Sequence, residues 1–192
     1  MEGPAASRER ASGFRTLFDD EQAFRVWYGD AVTRVYGYLY HRTGGMRSVA
    51  EELTQETFVD AVRNRNRYDG RSDPLTWVIA IARHKLADHY RQGAREEQRR
   101  LKLVSSGPLV AEDDPAAGSE RREDILRALR SLPSMQRAAL ALHYLDELSV
   151  RQIAAQLGRS EVSVESLLSR GRAGFRRALA EPEPVPGEEE HV

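Results

Sequence analysis

Apolar residues recur along this chain at helical spacing. Phe24, Trp27, Tyr28, Ala31, Val35 and Tyr38 fall at i, i+3, i+4, i+7, i+11 and i+14, one face of a helix that Gly44-Gly45 ends. Ser48 with Glu51 three residues later is a capping-box pattern, and it predicts the start of a second helix whose inner side is Ala50, Leu53, Thr57, Phe58 and Ala61. Tyr68-Asp69-Gly70-Arg71-Ser72 reads as a loop. Asp73 followed by Pro74 supplies an N-cap and a first helical position for a third helix, with Leu75, Ile79, Ala82 and Leu86 on one side. That helix turns strongly polar from Arg83 onward.

A second helical block follows. Ile125, Leu129 and Leu132 mark its first helix, stopped by Pro133, and Ala138, Leu142 and Leu145 mark the next. Ser149 with Gln152 forms another capping pattern, Gly158 breaks the chain, and Ser160 restarts it. No stretch alternates as a strand would. The pattern predicts an all-α chain of two small helical domains joined by a flexible linker. Residues 21–100 form the first domain and 120–180 the second, which contains a helix-turn-helix. The linker, 101–119, carries Gly, Pro and Ser clusters and three consecutive acids. The first twenty residues are expected to be flexible. The tail 181–192, with three prolines and five acids, is expected to be disordered.

The pair of short helices around Gly158 has helix-turn-helix spacing. At about 100° per residue, Val164, Leu168, Gly171 and Phe175 cluster on one side of the second helix, with Leu167 beside them. The opposite side carries Val162, Ser166, Ser169, Arg170, Ala173 and Arg177. Small polar residues near the front suit approach to base edges, and the later arginines suit phosphates. The same pattern also fits a helical hairpin with a solvated outer face.

Composition narrows the field. Among 192 residues there is no cysteine, which removes disulfides and thiolate metal or redox chemistry. No apolar run is long enough for a membrane span, and the N-terminal stretch lacks the apolar core of a signal peptide, so a cytoplasmic location without membrane insertion is expected. The net charge of −1 conceals an uneven distribution: Arg63 to Arg100 hold ten Lys/Arg against five Asp/Glu. Near-neutrality overall therefore does not argue against nucleic-acid binding, because the local field decides. No nucleophile–base pair, phosphate loop or ligand cluster suggests an enzyme, a cofactor or a metal. His84, Asp88 and His89 do not share a helix face well enough to hold an ion.

Two motif sets carry a family resemblance. "LRSLPSMQRAALALHYLDELSVRQIAAQLGRSEVSV", with Arg170-Gly171-Arg172, resembles the C-terminal domain of bacterial sigma factors of the extracytoplasmic-function (ECF) group. "AEELTQETFVDAV", "RYDGRS" and "TWVIAIARHKLADHYR" resemble the N-terminal sigma domain of the same group. The resemblance spans about Phe24 to Leu179.

It implies a transcription initiation factor with these partners: core RNA polymerase, through the β′ coiled coil and the β flap; promoter DNA; and an anti-sigma factor. Glu51, Glu52, Leu53, Gln55, Glu56 and Phe58 would dock on the polymerase, carboxylates meeting arginines. Acids in a first helical turn also simply complement the helix dipole. Tyr68, Asp69, Gly70, Arg71 and Ser72 are similar to the family's loop for a flipped base of the −10 element, with an aromatic and an arginine suited to single strands. Trp77 belongs with that loop or with the core. Arg83, His84, Lys85 and Arg91 would follow phosphates or face solvent. Arg159, Ser160, Glu161, Ser163, Glu165, Ser166, Ser169, Arg170, Arg172 and Arg176 would meet the −35 duplex in the major groove.

The chain departs from the family pattern in places. Glu165 and Leu167 stand where basic residues are common, Gly171 where alanine is usual, and Val49 where aspartate is. Pro74-Leu75 replace an aromatic–basic pair, and His84 replaces an asparagine. These changes bear on promoter sequence and base contacts more than on fold. Two other readings remain: a stand-alone helix-turn-helix regulator, and a degenerate sigma-like protein-interaction module.

Overall fold

A computed structural model describes residues 19–103 and 120–180, together with Ser12, Phe14, Thr16 and Leu17. The expected linker from residue 104 onward and the tail after Ala180 lie outside the described residues. The elements are α1 (Glu21–Arg42), α2 (Arg47–Arg63), a 3₁₀ turn (Arg65–Arg67), α3 (Pro74–Leu103), α4 (Glu120–Arg130), α5 (Ser134–Tyr144), α6 (Val150–Leu157) and α7 (Glu161–Ala180). The described residues contain no strand, as the hydrophobic spacing predicts. No helix among them is long and apolar enough to cross a membrane.

Local chemistry sets most of the boundaries. The Asp20 carboxylate caps α1 by accepting the amides of Gln22 and Ala23, both at 3.0 Å. Gly44 and Gly45, at φ 75° and 80°, turn the chain out of α1. The α2 start differs from the Ser48 expectation. Met46 is the N-cap, in extended backbone without a side-chain cap, and Ser48 lies inside the first turn. The tight glycine exit sets the N-cap at Met46, two residues before the serine. Glu51 and Glu52 therefore stand past the first turn, where the helix dipole has little hold on them. Asp73 caps α3 as expected, its Oδ1 2.9 Å from the Leu75 amide. α3 continues through Leu103, so residues 101–103 are helix where a linker was expected.

In the first half the buried stripe of α3 is Val78, Ala82, Leu86, Tyr90 and Ala94, spaced by four, and it packs against Val35 and Leu39 of α1 and Ala50, Leu53, Phe58 and Ala61 of α2. Leu75 and Ile79 are half-buried at its margin. In the second half α6 carries a complete capping box: Ser149 Oγ accepts the Gln152 amide at 3.3 Å, and Gln152 Oε1 accepts the Ser149 amide at 2.9 Å. Gly158 ends α6 at φ 62°, and Ser160 Oγ accepts the Ser163 amide at the start of α7. Ile125 and Leu145, expected inside, are 41% and 44% exposed.

The two halves pack on one another. Leu129, Leu132, Met135 and Ala138 belong to the same buried cluster as Val35, Leu86 and Tyr90. Arg137, 8% exposed, donates to the carbonyls of Arg130 and Leu132 within its own half, both at 3.0 Å, and to Thr43 in the other half at 3.2 Å. A Cβ at Gly44 would lie 2.9 Å from the Arg130 amide nitrogen, so only glycine lets the two backbones approach.

Candidate nucleic-acid interface

α7 shows the division read from the wheel. Val164, Leu167, Leu168 and Gly171 are buried. Gly171 sits against α5, where a Cβ would lie 3.1 Å from Leu140 Cγ. Arg159, Ser160, Glu161, Glu165, Ser166, Ser169, Arg170, Arg172 and Arg176 are all exposed, and Ser163 is half-buried behind its capping bond. Arg170 and Arg176 lie back along the helix, their Nε atoms on the carbonyls of Ser166 and Arg172 at 3.4 and 3.3 Å. None of Arg170, Arg172 and Arg176 is in an ion pair among the described residues, so this cationic edge is available to phosphate.

The α3 set is arranged differently. Lys85 Nζ lies 2.8 Å from Asp60 and 3.5 Å from Glu56, and Asp60 is the main reason its pKa is raised. Arg91 pairs with Asp88 one turn earlier. Arg83 Nε is 3.8 Å from Asp146, whose side chain is 3% exposed. His84 is exposed. Lys85, Arg83 and Arg91 thus have acidic neighbours that a phosphate must displace. For Arg91, half-exposed, such a pair contributes about 1 kcal/mol or less.

Tyr68 is fully buried, and its hydroxyl donates to the Ser72 carbonyl. It forms a wall of an aromatic cage with Trp27 and Trp77, and Phe14, 3% exposed, fills that cage with edge-on contacts at 4.8, 5.3 and 5.8 Å to Tyr68, Trp27 and Trp77. Tyr68 therefore offers no open stacking face in this structure, and Phe14, from the segment expected to be flexible, is a core residue. Trp77 is half-buried and packs against Phe14 and Tyr68, as the core reading expects. The remaining loop is held by its own acid: Asp69 Oδ1 accepts the Arg71 amide at 3.0 Å, and its other oxygen pairs with Arg71 Nε at 3.3 Å. Next to it a polar groove of about 300 Å³ runs between α2 and α3, with Trp77, His84, Lys85 and Asn64 in its walls.

On α2, Glu51, Glu52, Gln55 and Glu56 are exposed. Leu53 and Phe58, 4% and 6% exposed, point inward and hold the helix in place, so they cannot touch a partner as expected of them. A groove of about 390 Å³ opens beside the acids, walled by Tyr28, Val32, Tyr36 and Gln55. A second groove, about 580 Å³ and almost wholly apolar, lies between α4, α5 and α7, with Ile125, Tyr144, Leu145 and Phe175 on its rim. Neither groove was legible as such: the residues of the second read as core periodicity, because a helix-sized furrow has the same pattern as a packed face.

Comparison with known proteins agrees with this architecture. Residues 27–96 match the family model for sigma-70 region 2, and residues 122–173 that for sigma-70 region 4. The chain is 32% identical over 175 residues to the ECF RNA polymerase sigma factor SigF of Caulobacter vibrioides, covering 91% of this chain and 93% of SigF. It is 36% identical over 138 residues to SigC of Mycobacterium tuberculosis, covering 72% of this chain and 74% of SigC. To BldN of Streptomyces coelicolor it is 31% identical over 173 residues, and it spans 63% of that protein's length. The fold is shared with the sigma factor RpoE of Bartonella quintana, solved in complex with the anti-sigma factor NepR, at a TM-score of 0.52 and 22% identity over 83% of this chain and 98% of that one. With both sigma regions present in order and relatives matched along most of their length, the chain belongs to the ECF group of RNA polymerase sigma factors.

Proposed function

We propose that this sigma factor binds core RNA polymerase in the cytoplasm, places α7 in the major groove of the −35 duplex, and holds the melted −10 strand beside α3. The observation that carries this reading is the outer face of α7: small polar residues in front, arginines with no ion pair among the described residues behind, and Val164, Leu167, Leu168 and Gly171 buried on the opposite side. Serines at 163, 166 and 169 leave room for close approach to base edges, and Glu165 can accept from a cytosine amino group. Arg170, Arg172 and Arg176 are positioned for phosphates.

Polymerase docking falls to the exposed acids of α2 and the groove of Tyr28 and Tyr36 on one side, which suit a basic coiled coil. The apolar groove of Ile125, Tyr144 and Phe175 suits one face of an amphipathic helix, as the β flap would present. An anti-sigma helix competes for the same furrow. The −10 strand meets Arg71 and His84, both exposed, with Trp77 at the edge of the cage; Gly70, expected in this contact, is buried. The factor performs no covalent chemistry: binding energy for opened bases shifts the equilibrium toward the bubble.

Replacing Arg170 and Arg172 together by alanine tests the groove assignment. Holoenzyme carrying both changes is expected to bind a −35 duplex at least tenfold more weakly, with the slope of log K against log salt reduced by about 2. Unchanged affinity and slope would remove α7 from the groove.

A further inference from the structure

One more groove, about 520 Å³, lies between the C-terminal part of α7 and the start of α5. Its floor is small and apolar, with Leu132, Ala173 and Ala178. Its polar walls are Gln136 of α5 and Arg170 and Arg177 of α7. No acid lines it. Among the described residues neither arginine is in an ion pair, and the Gln136 side chain has no hydrogen-bond partner. Both arginines are exposed. The groove thus combines a cationic wall with an unused amide and an apolar base.

Charge along the chain points to the occupant. Between Ser166 and Ala180, α7 carries four arginines and no acid, whereas residues 181–192 carry five glutamates and no lysine or arginine. These residues follow α7 at Ala180, within a turn of Arg177 and Ala178. Reversing direction takes about four residues, the length of a β-turn. The rest spans about 25 Å at about 3.1 Å per residue. The helix between Arg177 and Arg170 is about 11 Å long, so the segment is long enough to pass both. Pro182, Pro184 and Pro186 restrict the backbone before any contact forms, which lowers the entropy lost on docking. Carboxylates and guanidiniums pair through charge-assisted hydrogen bonds. Tethering supplies an effective concentration of about a millimolar, so a contact too weak to hold a separate peptide still holds this one. The apolar groove of Ile125, Tyr144 and Phe175 is a poorer fit, because it asks for large apolar side chains and the segment offers only Val185 and Val192 beside its prolines.

We propose that residues 181–192 turn back along α7 and dock in this groove, their glutamates on Arg170 and Arg177, so that the acidic tail competes with the DNA backbone for the arginine edge of α7. For what the tail displaces this rests on the promoter reading above, but the docking itself is measured without DNA. Phosphate contacts carry no sequence information, so the competition weakens binding to every duplex by the same factor.

The chain has no cysteine, so a nitroxide on Val192→Cys is a single paramagnetic reporter in the full protein. At low salt it should broaden the amide signals of Ser131 and Gln136, which line the groove opposite α7. The broadening should vanish in Arg170→Ala/Arg177→Ala, and at 1 M salt, where screening shortens to about 3 Å. Glu181→Gln, Glu183→Gln, Glu188→Gln, Glu189→Gln and Glu190→Gln together should abolish it as well. Without the nitroxide, that glutamine variant should bind a −35 duplex and an unrelated duplex about threefold or more tightly than the wild type at low salt, with a steeper slope of log K against log salt. The docking is overturned if Ser131 and Gln136 stay sharp, or if the broadening persists in the arginine or glutamine variants. It is equally overturned if broadening arises only between a spin-labelled copy and a separate isotope-labelled copy, which would seat a second molecule in the groove. The competition is overturned if the glutamine variant loses the broadening yet binds both duplexes as the wild type does. If neither form binds any duplex while the broadening holds, the tail contact stands and the promoter reading fails.

Discussion

Single residues carry the contacts that sequence pattern does not reveal. Phe14 precedes the matched family region, yet its ring closes a cage of two tryptophans and a tyrosine. Phe14→Ala removes those edge-on contacts and should lower stability by about 3 kcal/mol. It should also shift tryptophan emission to the red as Trp27 and Trp77 meet water. Unchanged emission and urea midpoint would mean that Phe14 does not occupy the cage in solution. His89 offers a second test. Burial, assisted by Arg137, lowers its pKa, against the opposing pull of Glu52 and Glu56. The folded state thus resists protonation, while the unfolded chain takes up a proton below about pH 6.5. The contribution of His89 to stability must fall as pH drops from 6.5 toward the lowered folded value, and be flat above 6.5. Urea midpoints at pH 7.5 and 5.5 should therefore differ less in His89→Asn than in the wild type. An equal or larger difference would contradict this assignment. Asp146 shows why such residues escape a reading of sequence: its partners Tyr38, Arg42 and Arg83 lie far away along the chain, and nothing in "YLDELS" points to them.

Elements were far more legible than residues, because amphipathic periodicity and capping act locally. Most of the wheel of α7 was readable: Val164, Leu167, Leu168 and Gly171 are buried on the side predicted and Arg170 and Arg177 are exposed on the other, while Phe175 is half-buried and Arg172 and Arg176 stand beside it at the apolar groove. The capping box at Ser149 was readable from two letters three apart, and Ser149→Ala should lower the melting temperature by about 2–4 °C, the effect of about 1 kcal/mol in a chain of this size. No shift would mean that α6 is held by packing alone. Ser48 carried the same two-letter signal and misled, since the Gly44-Gly45 turn had already fixed the start of α2. Leu53 and Phe58 were attributed to a partner surface because the motif runs through them, yet motif membership does not say which way a side chain points. Ile125 and Leu145 erred in the opposite sense, as apolar positions left on the rim of a groove.

At the scale of the whole molecule, the arrangement of the halves is what no local pattern could supply. Charge and spacing predict two helical bodies and a third helix that turns strongly polar from Arg83 onward. They did not predict that α6 would pack on α3 or that one buried carboxylate would gather three side chains from the other half. The proposed function nevertheless depends on both halves engaging DNA together on the polymerase. Reconstituted transcription on fragments of the source genome measures that directly, with core polymerase alone, with the wild-type factor and with the Arg170→Ala/Arg172→Ala variant. Transcripts with defined 5′ ends should appear only with the wild-type factor and be strongly reduced with the variant. The same transcripts from core alone, or none above core when the factor is present, would contradict it.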